Sequence, residues 1–239
     1  MILLADRSGS MEAPEPPTAP SSKFALMTKA LTGLLTATPS RDVVAGLVWL
    51  PQPPPLSTAA QCLPPSYETF AVAPGVVGDG VGAAISSALA AGVPGGPSAW
   101  SPALRGATKL ALQEAVAHPE RAVSVLMVAD DVPTGCGVTE ATPFVIPPEI
   151  AAATATGQLR VFVMGLSAGG AQVKALDDQI ATAGGTTAAY LPNLLDAATL
   201  DLALATVRER ASCVVNLPSA FDERGIFGCH RVVAPSSRR

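Results

Sequence analysis

Continuous apolar runs alternate along the chain with segments in which apolar residues recur at helical spacing. The runs predict buried strands, because a strand covered on both faces is apolar at nearly every position. These strands are predicted at residues 2–5, 43–50, 122–129 and 159–165, with shorter ones at 69–73 and 186–191. Helices are predicted at residues 23–37, 80–91, 102–116, 148–156, 172–183 and 196–210. In the helix at 172–183, Asp177 and Asp178 are predicted to face solvent.

The alternation of elements predicts the fold class. Strands that alternate with helices of about 12–15 residues indicate βαβ units. We therefore predict an α/β fold that is doubly wound, with a mostly parallel central sheet and helices on both faces. Residues 1–211 form this domain in the prediction. Residues 212–239 depart from the alternation and are predicted to form an extended, hairpin-like C-terminal tail.

Composition narrows the class of protein. Hydrophobic residues make up 49% of the 239 residues and charged residues 14%, and the mean hydropathy is +0.38, which is ample for a buried core. No apolar run approaches the roughly 18–20 residues of a membrane helix, so no transmembrane segment is predicted. The net charge of −4, a pI near 5.1 and an aromatic content of 4% argue against a nucleic-acid-binding surface.

Acidic and hydroxyl side chains follow two of the predicted strands. Asp6, Ser8 and Ser10 follow the first strand, and Asp130 and Asp131 follow the strand at 122–129. In open parallel sheets, ligands bind beyond the carboxyl ends of the strands. The chain has only two histidines, which excludes a multi-histidine metal centre, so a metal site must be built from oxygen ligands. Carboxylates and hydroxyls in this arrangement suit a hard cation such as Mg²⁺.

The pattern Asp6-x-Ser8-x-Ser10 directly after an apolar strand resembles the metal-ion-dependent adhesion site of von Willebrand factor type A domains. Three further segments resemble that family in the same order along the chain. They are GPSAWSPAL at 96–104, with Ser98 at the position of the metal-binding threonine, LMVADDVPT at 126–134, with Asp130 at the second acidic position, and LDDQIATAGGT at 176–186. The resemblance covers roughly residues 2–211 and implies the Rossmann-like fold of the family.

The resemblance implies a module for protein recognition and adhesion, not an enzyme. It implies a Mg²⁺ or Mn²⁺ site whose ligands are Asp6, Ser8, Ser10, Ser98 and Asp130. In the family, the hydroxyls ligate the ion directly, the aspartates often act through water, and few direct anionic ligands leave the ion electrophilic. An Asp or Glu carboxylate from a protein partner is then expected to complete the coordination.

Three residues depart from the family pattern. Ser98 stands in place of a threonine, which keeps the hydroxyl but loses the methyl group that restricts χ1. Ala129 stands in place of the threonine before the second acidic residue, so a hydroxyl that would orient the ligands is lost. Asp131 stands in place of a glycine. Its added negative charge either strengthens cation binding or crowds the site.

Two other functions are compatible with the same fold. In one, the acidic pocket carries out metal-assisted phosphoryl hydrolysis with Asp6 as the nucleophile. Such a nucleophile usually needs a lysine near the phosphate, and Lys23, Lys29, Lys109 and Lys174, the four lysines of the chain, all lie away from the predicted strand ends. In the other, the domain is a metal-free scaffold within a larger assembly.

The four cysteines bear on the cellular compartment. An even number without a CxxC pair is compatible with two disulfides in an oxidising compartment or with four thiols in a cytosolic one. In the fold that the resemblance implies, the loops carrying Cys62 and Cys136 emerge at the same sheet edge, and Cys213 and Cys229 flank the tail. We therefore predict the disulfides Cys62–Cys136 and Cys213–Cys229. They imply an extracytoplasmic location, either secreted, at the cell surface or periplasmic, assuming a signal sequence upstream of the recorded start.

Overall fold

Among the residues that the computed structural model describes, five strands form one mixed sheet. The strands are β1 (Ile2–Asp6), β2 (Val44–Leu50), β3 (Val72–Val76), β4 (Val123–Ala129) and β5 (Leu159–Gly165). Their order across the sheet is β3-β2-β1-β4-β5, and the pairs are parallel except for β2 with β3. The structure describes residues 1–14, 19–54, 57–130, 132–138, 144–155, 157, 159–166, 170–192 and 197–212.

Helices cover both faces of the sheet. Within the described residues they are α1 (Lys23–Thr36), α2 (Thr58–Gln61), α3 (Val81–Ala91), α4 (Trp100–Ala117), α5 (Pro148–Thr154), α6 (Gly170–Ala183) and α7 (Ala197–Ser212). The helices α1, α3 and α7 pack on one face, and α4, α5 and α6 pack on the other. The predicted doubly wound α/β fold is therefore confirmed. None of these described helices is long and apolar enough to cross a membrane.

The two faces of the sheet carry separate hydrophobic cores. In β1, Ile2 and Leu4 pack into the core beneath α4, whereas Leu3 and Ala5 pack into the core beneath α1. Every residue of β1 is buried, including Asp6 at its end. A central strand with both faces covered favours apolar side chains, which is why β1 is a continuous apolar run from Ile2 to Ala5.

The two short predicted strands differ from the structure. The strand predicted at 69–73 is shifted along the chain to β3, which is the antiparallel edge strand. At 186–191, the described residues form a single bridge between Tyr190 and Met164 instead of a strand. The hydroxyl of Thr186 donates to the carbonyls of Ala181 and Val161. Gly184 and Tyr190 also bond to the backbone of β5, but these contacts are separate and produce one bridge instead of a continuous strand.

Asp177 is buried, so the predicted solvated position is wrong for this residue. It is 2% exposed, and its carboxyl packs against the end of β5, where a Cβ on Gly165 would lie 2.5 Å from Asp177 Oδ2. Burial, followed by the charge of Asp178, raises the pKa of Asp177 to about 7. The predicted tail hairpin and the predicted Cys213–Cys229 disulfide lie outside the described residues, as does Asp131.

Candidate functional site

The parallel pairing of β1 with β4 brings two aspartates to the same edge of the sheet. Ala5 is aligned with Val128, so the carboxyl ends of these central strands lie side by side. Asp6 is the last residue of β1, and Asp130 follows the last residue of β4. Both side chains are buried, with exposures of 0% and 1%. Two carboxyl groups therefore meet at the position where open α/β sheets bind ligands.

A chain of hydrogen bonds connects these aspartates through two serines. The backbone N–H of Ser8 donates to Asp6 Oδ1 at 2.6 Å. The hydroxyls of Ser8 and Ser10 lie 3.0 Å apart, and the Ser10 hydroxyl donates to Asp130 Oδ1 at 2.8 Å. The short 3₁₀ turn at Gly9–Glu12 shapes this loop, and its Met11 side chain is fully buried. Four of the five predicted ligands thus belong to one network.

Ser98, the fifth predicted ligand, lines the same cavity as Ser8 and Ser10. The cavity has a volume of about 340 Å³, and Thr134, which sequence reasoning did not select, also lines it. Ser98 is 4% exposed, and among the described residues its hydroxyl has no hydrogen-bond partner. The Asp6 Oδ2 atom is also buried and also has no hydrogen-bond partner among the described residues. Because buried polar atoms are nearly always paired, each of these two oxygens could accept a further interaction partner.

Arg7 joins the two loops that carry the serines. Its Nε donates to the carbonyl of Val93 at 3.0 Å, and its Nη2 donates to the same carbonyl. The backbone supplies two more links, Gly95 N to Arg7 O at 2.7 Å and Gly9 N to Gly96 O at 3.2 Å. Gly96 has a φ of 90°, a conformation that favours glycine. The loop leading to Ser98 is therefore held against the loop of Ser8 and Ser10.

The Cys62–Cys136 disulfide borders the site, which confirms that predicted pair. It joins the segment after β2 to the segment after β4, with a Cα–Cα distance of 5.1 Å. Next to it, the N–H of Gly135 donates to the carbonyl of Ser98 at 3.4 Å. The disulfide thereby fixes the segment that leads back from Asp130 toward Ser98.

Lys23 is a site residue that sequence reasoning missed. Its Nζ lies 2.6 Å from Asp130 Oδ2, and both side chains are buried. Lys23 begins α1, and the loop before it closes through a bridge between Pro14 and Ser22 and a bond from Lys23 N to Ala13 O. The sequence contains one indication that Lys23 has a special role. A lysine in the first turn of a helix is electrostatically unfavourable, because that end of a helix attracts anions.

Burial and a neighbouring charge perturb the ionisation of Asp6. Burial, followed by the charge of Asp130, raises the pKa of Asp6 from 3.8 to about 7. Within the part of the chain that the structure describes, no three His, Cys, Asp or Glu side chains group together, so a metal would depend on the serine hydroxyls. Two carboxylates and hydroxyl oxygens are hard ligands that fit Mg²⁺ or Mn²⁺. Metal binding by these residues remains a prediction.

The fold is similar to that of several solved structures. No family model matches the chain, and no curated protein matches it. Among solved structures, a von Willebrand factor type A protein from Catenulispora acidiphila has 16% identity and a TM-score of 0.53, over 89% of this chain and 42% of that one. The pilus adhesin SpaC from Lactobacillus rhamnosus GG has 13% identity and a TM-score of 0.57, over 88% of this chain and 29% of the adhesin.

A third similar structure matches over nearly its whole length. An aerotolerance-related membrane protein from Bacteroides fragilis has 10% identity and a TM-score of 0.53, over 88% of this chain and 96% of that one. This chain therefore spans less than half of the Catenulispora protein and of the adhesin, but almost all of the third protein. At these identities the likeness shows the fold alone, a mostly parallel α/β fold similar to that of the von Willebrand factor type A protein from Catenulispora acidiphila.

Proposed function

We propose that this protein is a metal-dependent protein-binding module. Asp6, Ser8, Ser10, Ser98 and Asp130 would hold Mg²⁺ or Mn²⁺, and a carboxylate of a partner protein would complete the coordination. The observation that carries this proposal is the pair of buried oxygens, Asp6 Oδ2 and Ser98 Oγ, that lack hydrogen-bond partners among the described residues. An ion held by hard oxygen ligands would satisfy both atoms.

The residues of the chain have separate tasks in this proposal. Asp6 holds the backbone of Ser8, and Asp130 accepts from the hydroxyl of Ser10, so the aspartates orient the loop that carries the hydroxyls. A Mg²⁺ held there would supply a Lewis-acidic centre that attracts a carboxylate. The cavity of about 340 Å³ that Ser8, Ser10 and Ser98 line has room for one acidic side chain of a partner.

The same fold occurs in proteins that act at cell surfaces, which supports an extracytoplasmic location. The similar structures include a pilus adhesin and an aerotolerance-related membrane protein. The Cys62–Cys136 disulfide is typical of an oxidising compartment. Alkylation of protein taken directly from its native source, without reductant, should leave both cysteines unlabelled. Labelling of both before reduction would contradict this location.

Calorimetric titration with MgCl₂ tests the metal site. The full chain should bind one Mg²⁺ at millimolar ion or below, and Ser98→Ala should weaken this binding by about tenfold or more, since one hydroxyl ligand is lost. Ser86→Ala is the matched control, because the Ser86 hydroxyl donates to Gly82 within α3. Equal affinity in all three proteins, or no binding to any of them, would reject the metal site.

Partner binding needs its own experiment. Immobilised protein should retain a partner from native extract in MgCl₂, release it in EDTA, and lose it in the Ser98→Ala variant. A short peptide with a single Asp, added at millimolar concentration, should compete for the site. If the partner is retained equally in EDTA and by the Ser98→Ala variant, the result would instead favour the metal-free scaffold.

A second candidate function is metal-assisted phosphoryl hydrolysis, which the position of Lys23 favours. Its ammonium lies at the sheet edge beside Asp130, where a phosphate would be bound. The burial of Asp6 weighs against the nucleophilic role, because its side chain is 0% exposed. Release of p-nitrophenol from p-nitrophenyl phosphate by the wild type, but not by Asp6→Asn, would favour this function over the binding module.

A further inference from the structure

A lysine ammonium contacts one of the proposed ligands, Asp130. Lys23 Nζ lies 2.6 Å from Asp130 Oδ2, and the side-chain exposures are 3% for the lysine and 0% for the aspartate. The other oxygen of the same carboxylate, Oδ1, accepts the hydroxyl of Ser10. Asp130 is therefore shared between a ligand hydroxyl and a cation that belongs to the protein.

The position of Lys23 costs free energy in two ways, so the ion pair with Asp130 is needed to offset these costs. A buried ammonium loses its hydration, and breaking such a pair leaves an uncompensated buried charge. Lys23 is also the first residue of α1, where the partial positive charge of the helix disfavours a cation. The first turn of α1, Lys23 to Leu26, contains no acidic residue to offset that charge. Asp130, whose Oδ2 lies 2.6 Å from Lys23 Nζ, is an anion that offsets these costs.

We infer that Lys23 is a built-in competitor of the divalent cation at this site. The inference rests on the proposed metal site and concerns how that site is regulated. Without metal, the ammonium neutralises Asp130. A Mg²⁺ held by Asp130 would lie close to the positive charge of Lys23, and like charges at short range repel strongly where water is excluded. Lys23 thus lowers the affinity of the site for divalent cations.

Titration of MgCl₂ into three full-length proteins tests this inference. Lys23→Met removes the ammonium while keeping an unbranched apolar stem, and should bind Mg²⁺ at least about tenfold more tightly than the wild type. Lys29→Met is the matched control, because Lys29 lies on the same helix but is exposed. It removes the same charge from the protein and should leave the affinity within about twofold. The rise in melting temperature caused by Mg²⁺ should follow the same order.

The outcomes separate this inference from the proposed function. If the wild type binds Mg²⁺ and Lys23→Met binds it equally or more weakly, the inference is wrong and the proposed metal site stands. If Lys23→Met alone binds Mg²⁺, Lys23 competes as inferred, and the wild type acts without metal. Binding to none of the proteins rejects both. Should Lys23→Met fail to fold, Lys23→Gln keeps a donor for Asp130 and carries the same expectations.

Discussion

Replacing Asp6 by Asn should stabilise the metal-free protein at neutral pH. The Asp6 side chain is fully buried, and its pKa is raised from 3.8 to about 7, first by burial and then by the charge of Asp130. A raised pKa means that the folded state holds this proton more tightly than the unfolded chain does. The unfolding free energy of the wild type is therefore unaffected by Asp6 ionisation below pH 3.8. It declines as the pH rises from 3.8 to about 7, and it stays at the lower value above that pH.

The magnitude follows from the two pKa values. A rise from 3.8 to about 7, at about 1.4 kcal/mol per pKa unit, corresponds to a cost of about 4 kcal/mol for the ionised Asp6 above pH 7. Asparagine carries no charge, and its side-chain oxygen can still accept the Ser8 N–H that Asp6 Oδ1 accepts at 2.6 Å. Asp6→Asn should therefore gain about 4 kcal/mol of unfolding free energy at pH 8 and little at pH 4.

Urea unfolding followed by tryptophan fluorescence, in EDTA between pH 4 and 8, measures this gain. The pKa of Asp177 is also raised to about 7, so its ionisation lowers the unfolding free energy of every variant as the pH rises. The quantity to compare is therefore the difference in unfolding free energy between Asp6→Asn and the wild type. Asp79→Asn, at an exposed position, should show no such difference. A difference that does not change with pH would refute the reasoning. If the metal site is real, saturating Mg²⁺ should narrow the gap by stabilising only the wild type.

Three further predictions concern the supports of the site. The Cys62–Cys136 disulfide closes a separation of 74 residues, so replacing both by Ser should lower the unfolding free energy by about 4 kcal/mol in urea; a loss below 1 kcal/mol would contradict the chain-entropy argument. Arg7→Lys should weaken Mg²⁺ binding several-fold in calorimetry, because lysine lacks the paired Nε and Nη2 donors; unchanged affinity would mean that the backbone links suffice. Gly96→Ala, at a φ of 90°, should cost about 1–2 kcal/mol in thermal unfolding, whereas Gly33→Ala, in open space on α1, should add about 0.5–1 kcal/mol; equal effects would remove the strain argument.

The sequence by itself determined those features that depend on neighbouring residues. The central strands could be predicted because both of their faces are covered, which leaves an apolar residue at nearly every position. The loop of Asp6, Ser8 and Ser10 could be predicted because its bonds span only two residues each. Asp130 joined them in the prediction because parallel strands end at a common edge, a rule that needs only the order of the elements.

Only the tertiary structure decided what lies opposite each buried charge. Lys23 is a helix residue in the sequence, and it becomes a partner of Asp130 because the loop before α1 folds back through the Pro14–Ser22 bridge. Asp177 has solvated neighbours along the chain, but its side chain packs on Gly165, where the absence of a Cβ leaves room. The physical reason is the same in both cases. Periodicity reports which face of an element is apolar, whereas the partner of a buried polar group is set by the distance between elements that are remote in sequence.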